Sequence, residues 1–379
     1  MVEQTVEQRV VASGYRFKDV YRTGGDALAD AFHNQVLYCE ASGASITARI
    51  VGALVACLAK PDGNPFLERI AGWQGPPLAD ALPLRAAGGL HALHLAGTEP
   101  SLSAIYEGQA VDDAIVVRGV VDRRATELLP WLDGPPQTNE AGRSANFILA
   151  MSWLAGQGLQ PNFECLEIGS SAGINLMLAR NHYDLGGVNF GSADAAMRFA
   201  PEWRGGPAPD HPFTIVSTRG CDVAPVDLTD PVQALRLKAY IWPEHSIRFE
   251  RMDAAVTEAK RQKPNIVKQN AADFVEAALA QPQSPRTTRV LMHSIVWQYV
   301  PHDQQARVSA AMTAAGERAT PETPLAWIAL EANRSTHMHE LSVQFWPGGE
   351  TRLKLGTAHP HGAWLAALEQ PEPSAWPDN

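Results

Sequence analysis

Residues 163–176 read Phe-Glu-Cys-Leu-Glu-Ile-Gly-Ser-Ser-Ala-Gly-Ile-Asn-Leu, an apolar run that enters a turn opened by Gly169 and closed by Gly173. A short apolar strand, a glycine turn and renewed apolar spacing predict a strand over 163–168 and a helix over 172–180, the opening of an α/β unit. Glycine at such a turn admits positive φ and close approach of a ligand, and the helix behind it offers free amides. The alternation recurs. Strands are expected at 213–217, 265–268, 289–295 and 325–330, helical stretches lie between them, and a helix over 145–157 leads in. That order implies a mostly parallel sheet with helices on both faces. Residues 341–346 and 351–355 flank Pro347-Gly348-Gly349, so a C-terminal antiparallel hairpin is expected to close the sheet.

The half before this unit has a different texture. It is rich in Ala and Leu, with apolar residues at helical spacing over 27–38, 45–58 and 112–132. Gly and Pro interrupt it at 61–65, 74–77 and 133–136, and the last break sets the expected division. Residues 1–136 are read as an all-helical cap domain and residues 137–379 as a Rossmann-like domain. With 379 residues, 45% hydrophobic and 19% charged, disorder and collagen-like structure are excluded. The formal charge of -10 argues against a nucleic-acid partner and leaves a small-molecule substrate as the expected partner. The start of the chain lacks the pattern of a secretory signal, and the longest apolar run, 50–59, falls short of the roughly 20 residues of a membrane span. A cytoplasmic protein without a membrane partner is expected. Cys39, Cys57, Cys165 and Cys221 show no paired spacing and are read as reduced and partly buried. Nothing in the sequence sets an oligomeric state.

The turn supports three readings. Glu167, just before the first glycine, suits a ligand that carries an ammonium group, since a carboxylate opposes a pyrophosphate there. Gly169-Ser170-Ser171-Ala172-Gly173 also spells the elbow that displays a nucleophilic serine, with Ser171 as nucleophile, Asp222 or Asp273 as acid and His293 or His361 as base. The third reading is a plain turn. Downstream residues favour a cofactor. Asp222 ends the 215–222 stretch where a carboxylate would accept ribose hydroxyls, and Asn270 follows the next strand where its amide would meet an adenine amino group. Helix caps use the same residue types.

Taken together, Glu167-x-Gly169-x-x-x-Gly173, the ribose acid, the adenine contact and a fourth strand in Arg289-Val290-Leu291-Met292-His293-Ser294-Ile295 resemble a class I S-adenosylmethionine-dependent methyltransferase. More closely, the chain resembles a bacterial family known only as a domain of unknown function. Its marks are Gln137-Thr138-Asn139-Glu140-Ala141-Gly142-Arg143, the 167–176 turn, residues 219–227, Tyr240-Ile241-Trp242-Pro243, His293 to Tyr299 and Trp346-Pro347-Gly348-Gly349. The methyltransferase resemblance implies S-adenosylmethionine held by Glu167, Gly169, Ser170, Ser171, Ala172, Gly173, Asn175, Asp222, Asn270, Ala271, His293 and Arg143, the last through the methionine carboxylate. The sequence departs from that pattern in three places. Ser171 replaces a middle glycine, Asn270 stands where Asp is usual, and an insertion near 183–212 lengthens the interval to Asp222.

Methyl transfer to a small molecule is therefore the expected function. His293 or Tyr299 is the candidate for proton removal, and Asn139, Trp242 and Trp297 are candidates for the substrate wall. Each has a plainer reading: a buried histidine, packed tryptophans, Thr138 or Asn139 as a helix cap, and a surface pair between Arg143 and Glu140. Alternatives are a serine hydrolase using Ser171 and a cofactor-binding protein without catalysis. No metal site is expected, although His337-Met338-His339 and His359-Pro360-His361 are His-x-His pairs. A nicotinamide enzyme is disfavoured because the turn lacks Gly-x-Gly-x-x-Gly.

Overall fold

The computed structural model describes residues 21–24, 26–336 and 338–375. The chain divides into two compact units, one of residues up to Thr138 together with Asp230–Glu250, the other of Asn139–Thr229 with the chain from Arg251 onward.

The first unit is helical. Helices Ala27–Ala41, Ser45–Leu58, Pro65–Ala71, Leu82–Leu95 and Asp113–Leu128 surround a core that includes Phe32, Leu54, Phe66, Leu90, Val117 and Leu128. Pro65 occupies the first helical position, where its missing N–H costs nothing, and Asn64 caps that helix by accepting from Phe66 and Leu67. The sequence reading assigned residues 230–250 to the second domain. Here helix Pro231–Ala239 packs on Leu82–Leu95, His91 Nδ1 donates to the Ala239 carbonyl at 2.9 Å, and the Tyr240 ring lies where a Cβ on Gly88 would collide, at 2.6 Å. Gly88 thus admits the returning ring.

The second unit carries the sheets. In chain order the strands are β1 (Asn162–Ile168), β2 (His182–Leu185), β3 (Val188–Phe190), β4 (Arg198–Phe199), β5 (Glu202–Gly205), β6 (Thr214–Asp222), β7 (Ile266–Lys268), β8 (Thr288–Ser294), β9 (Leu325–Asn333), β10 (Met338–Trp346), β11 (Gly349–Ala358) and β12 (Trp364–Pro373). The large sheet has the order β5-β12-β11-β10-β9-β8-β1-β6-β7. Strands β7, β6, β1, β8 and β9 are mutually parallel, and β10, β11 and β12 extend β9 as an antiparallel meander. Every residue of β8 is buried, as a central parallel strand covered on both faces requires. Phe345 contacts Trp153 of helix Ser144–Gly156, whereas its neighbour Trp346 packs against Gly316 of helix His302–Gly316. Adjacent strand residues point to opposite faces, so these helices cover the two sides of the sheet.

Two expectations change. The helix expected over 172–180 is a 3-10 segment, Asn175–Arg180, because Gly173 at φ +72 packs against Pro264 and Ile266 and breaks the run. The region near 183–212 holds the three-stranded sheet β3-β2-β4 and then β5, which joins the far edge beside β12.

Candidate functional site

From β1 the chain proceeds through β6 to β7, then returns across β1 to β8 and β9. The order therefore reverses between β1 and β8, and the carboxyl ends of these two strands define the switch point at which open α/β sheets receive ligands. Backbone strain gathers there. Ser171, after β1, has φ +51, and Ile295, after β8, has φ +51, an outlying value for a β-branched residue. Gly169 has φ +66, and a Cβ on it would run into the Val296 side chain. Among the described residues, strained backbone thus lines both strand ends of the switch point.

Four amides at the turn are already committed. Ser170 donates to the Cys221 carbonyl at 2.9 Å, Ser171 to Asp222 Oδ2 at 2.8 Å, Gly173 to the Ser170 carbonyl at 2.7 Å and Ile174 to Asn139 Oδ1 at 2.8 Å. Asp222 also accepts from the Ala224 amide at 2.8 Å, so each carboxylate oxygen holds one backbone N–H and keeps one lone pair. Asn270 is the cap of helix Ala271–Leu279, accepting from Asp273 N at 2.9 Å and donating to Asp273 Oδ2 at 2.7 Å. Ala271 is buried as the first residue of that helix.

Side-chain oxygens remain at the same strand end. Glu167 is buried, and its Oε1 accepts from Asn175 Nδ2 at 2.9 Å. Glu167 Oε2, Asn175 Oδ1 and Ser171 Oγ are buried atoms with no hydrogen-bond partner among the described residues. Burial pushes the Glu167 carboxyl up to about 7; hydrogen bonding by the Asn175 and Ser170 side chains opposes the shift, the nearby Asp222 charge adds a little to it and the Arg143 charge subtracts a little. Ser170 donates its hydroxyl to the Glu167 carbonyl at 3.0 Å and is fully buried.

The segment before helix Ser144–Gly156 faces this turn. Asn139 bonds to the turn rather than capping the helix, and Glu140 caps the 3-10 segment Ala141–Arg143 by accepting from Gly142 N at 3.2 Å. Arg143 is buried, not on the surface, and donates to the Pro360 carbonyl at 2.9 Å and to the Ser294 carbonyl at 3.4 Å. His293 is 0% exposed. Its Nδ1 lies 2.6 Å from Glu331 Oε1, its ring stacks on Trp297 at 5.2 Å, and the same Glu331 oxygen accepts from Val296 N and Trp297 N. Tyr299 is 73% exposed. Trp242 belongs to the helical unit, edge-on to Tyr38 at 6.0 Å, and Trp297 to the sheet unit.

Sequence reasoning did not single out Glu331, Arg352 or Arg251. Arg352 is buried, donates to Ser342 Oγ at 2.9 Å, and is lowered to about 9 by burial against the pull of Glu331 and Glu340. The signal that reveals Glu331 is a carboxylate at the end of an otherwise apolar strand. The four thiols are free and buried, and burial pushes Cys39 and Cys221 up to about 12, so no thiolate nucleophile stands here. His337 lies outside the described residues. Among those described, no group of three or more His, Cys, Asp or Glu could hold a metal, and no helix is long and apolar enough to cross a membrane.

No curated protein and no solved structure matches the chain. A family model described as "uncharacterized protein conserved in bacteria (DUF2332)" matches residues 29–366, which is most of the chain. The protein belongs to that bacterial family.

Proposed function

We propose that the protein binds S-adenosylmethionine at the switch point and transfers its methyl group to a small molecule, on a sheet unit of the Rossmann-like methyltransferase type. The observation that carries this reading is the set of buried acceptors at the end of β1: Glu167 Oε2, Asn175 Oδ1 and Ser171 Oγ. Each unsatisfied buried polar atom costs roughly 1–3 kcal/mol, and a ligand ammonium, with three donors, relieves that cost. The buried Arg143 guanidinium, held at the end of β8 by the Ser294 carbonyl, would supply the opposite charge for a carboxylate on the same ligand. An α-amino acid end is therefore met by complementary groups. When bound, the cofactor supplies an electrophilic methyl on a sulfonium. The chain holds the reacting atoms in line and excludes water.

Calorimetric titration of S-adenosylmethionine and S-adenosylhomocysteine tests the reading, with Gly169→Asp as control. Saturable binding that is lost in the variant is expected. No binding at millimolar ligand would overturn it. One observation favours a second reading, a serine hydrolase: Ser171 has the positive φ of a nucleophile elbow. Among the described residues, no histidine is within hydrogen-bond distance of its hydroxyl. Labelling of Ser171 by a fluorophosphonate would revive that reading, and its absence would end it.

A further inference from the structure

We infer that the helical unit binds an organic ammonium group at Glu244, beside Tyr106 and Trp242. The inference stands without the methyl-transfer reading. Glu244 directly follows Tyr240-Ile241-Trp242-Pro243, and the whole segment belongs to the helical unit. His245 N donates to the Trp242 carbonyl at 2.9 Å, so Trp242 and Glu244 share one tight turn.

That turn docks on the start of helix Ser45–Leu58. Glu244 Oε1 accepts from Ile46 N at 2.5 Å and so satisfies a free amide of a helix whose N-cap, Ala44, has no side-chain acceptor. Capping accounts for one oxygen only. Glu244 Oε2 is a buried atom with no hydrogen-bond partner among the described residues. No described lysine, arginine or histidine forms an ion pair with it, and Arg49, on the same helix, is held by Asp113 at 2.6 Å. The hydroxyls of Ser42 and Thr47, on either side of the connection between helices Ala27–Ala41 and Ser45–Leu58, are likewise buried without a partner. A carboxylate oxygen withdrawn from water with neither donor nor counter-charge is costly, and a bound cation with N–H groups supplies both.

The surroundings are aromatic and offer no positive charge of their own. Burial, and after it the Glu244 charge, raises the Tyr106 hydroxyl. The Tyr106 ring stacks on His94 at 4.2 Å and on His91 at 5.0 Å. Burial lowers both imidazoles, His91 to about 4, so both are neutral at neutral pH. Trp242 packs on the cluster of Cys39, Ala44 and Ala48 that underlies the same helix connection. Tyr106, His94, Trp242 and Glu244 are each only partly buried, which leaves the group open to a ligand. Aromatic faces attract an organic cation, and the carboxylate with the two hydroxyls matches the three donors of a primary ammonium.

Phenethylammonium is the probe, with its charge for Glu244 and its ring for the aromatic wall. Calorimetric titration is expected to show saturable binding at millimolar probe. Glu244→Gln, which keeps an acceptor for Ile46 N, should weaken it at least about tenfold, and Glu167→Gln should leave it unchanged. Phenethyl alcohol, of the same shape without the charge, should also bind at least about tenfold more weakly. No binding of the ammonium, equal binding of the alcohol, or binding that Glu167→Gln abolishes and Glu244→Gln spares would each overturn the inference. If Glu244→Gln fails to fold, photolabelling of the unaltered protein with para-azidophenethylammonium decides. Adducts on the peptides that carry Tyr106 or Trp242 are expected, and adducts elsewhere would overturn the assignment.

Discussion

At the residue scale, Glu167 is a buried carboxylate in β1, next to the glycine turn. Burial pushes its carboxyl from the usual 4.5 up to about 7 in the folded chain. The folded state therefore binds more protons than the unfolded state between these values, and stability falls as pH rises through that window. A shift of that size corresponds to about 3 kcal/mol above pH 7. Glu167→Gln, neutral at every pH, is expected to melt higher than the unaltered protein at pH 8, with the difference shrinking toward pH 4.5. Thermal melts across pH check this, and equal melting at pH 8 would refute it. The same carboxylate must be ionised to attract an ammonium. S-adenosylmethionine should thus bind about tenfold more weakly at pH 6 than at pH 8, a dependence that Glu167→Gln removes along with most of the affinity. Glu167 stands out in the sequence as a candidate because it precedes a glycine turn. The committed amides of Ser170, Ser171, Gly173 and Ile174 were not, because their partners lie on β6 and on Asn139 as well as in the turn itself.

At the scale of elements, Glu331 ties β9 to β8 and to the segment Trp297–Tyr299 through one oxygen. Removing it leaves His293 Nδ1 and two backbone amides without that acceptor. Glu331→Ala is expected to destabilise the protein by roughly 3–5 kcal/mol, and Glu331→Gln by clearly less, as measured by urea unfolding. The glycine turn offers a second check. Gly169→Ala forces an L side chain to positive φ, at about 1–2 kcal/mol, and drives its Cβ into Val296. Val296→Ala in the same chain removes the two Cγ atoms and should recover most of the steric part, the remaining Cβ at 2.9 Å keeping the rest, and none of the backbone part. Full recovery would show that φ was never the constraint. The strands over 163–168 and 289–295 were legible from their apolar runs. The helix over 172–180 was misread, since its apolar spacing is real and only the conformation and packing of Gly173 convert it to a 3-10 segment.

At the scale of the whole molecule, the helical unit is discontinuous in sequence, with Asp230–Glu250 belonging to it. Leu237, Ala239, Tyr240 and Ile241 are buried there. A fragment beginning at residue 139 would carry these side chains without the core that covers them. Such a fragment is expected to aggregate or to bind a hydrophobic dye, whereas replacing the four by polar residues should improve its solubility. A soluble, dye-negative fragment without those changes would contradict the division into units.

The sequence by itself determined what depends on neighbours along the chain. Helix Ser45–Leu58 follows from its spacing, β8 from the apolar stretch Val290-Leu291-Met292 at its centre, and the hairpin of β10 and β11 from Pro347-Gly348-Gly349. The glycine turn likewise announced its place at a strand end. Only the tertiary structure decided the pairings: His293 with Glu331, Glu140 with His361, Arg143 with Pro360 and Ser294, and residues 230–250 with the helical unit. Local periodicity reports which face of an element is apolar and carries no information about which distant polar group will meet it. Burial then selects the partner, because leaving a polar group out of water without one costs free energy, and most buried groups are therefore satisfied by another.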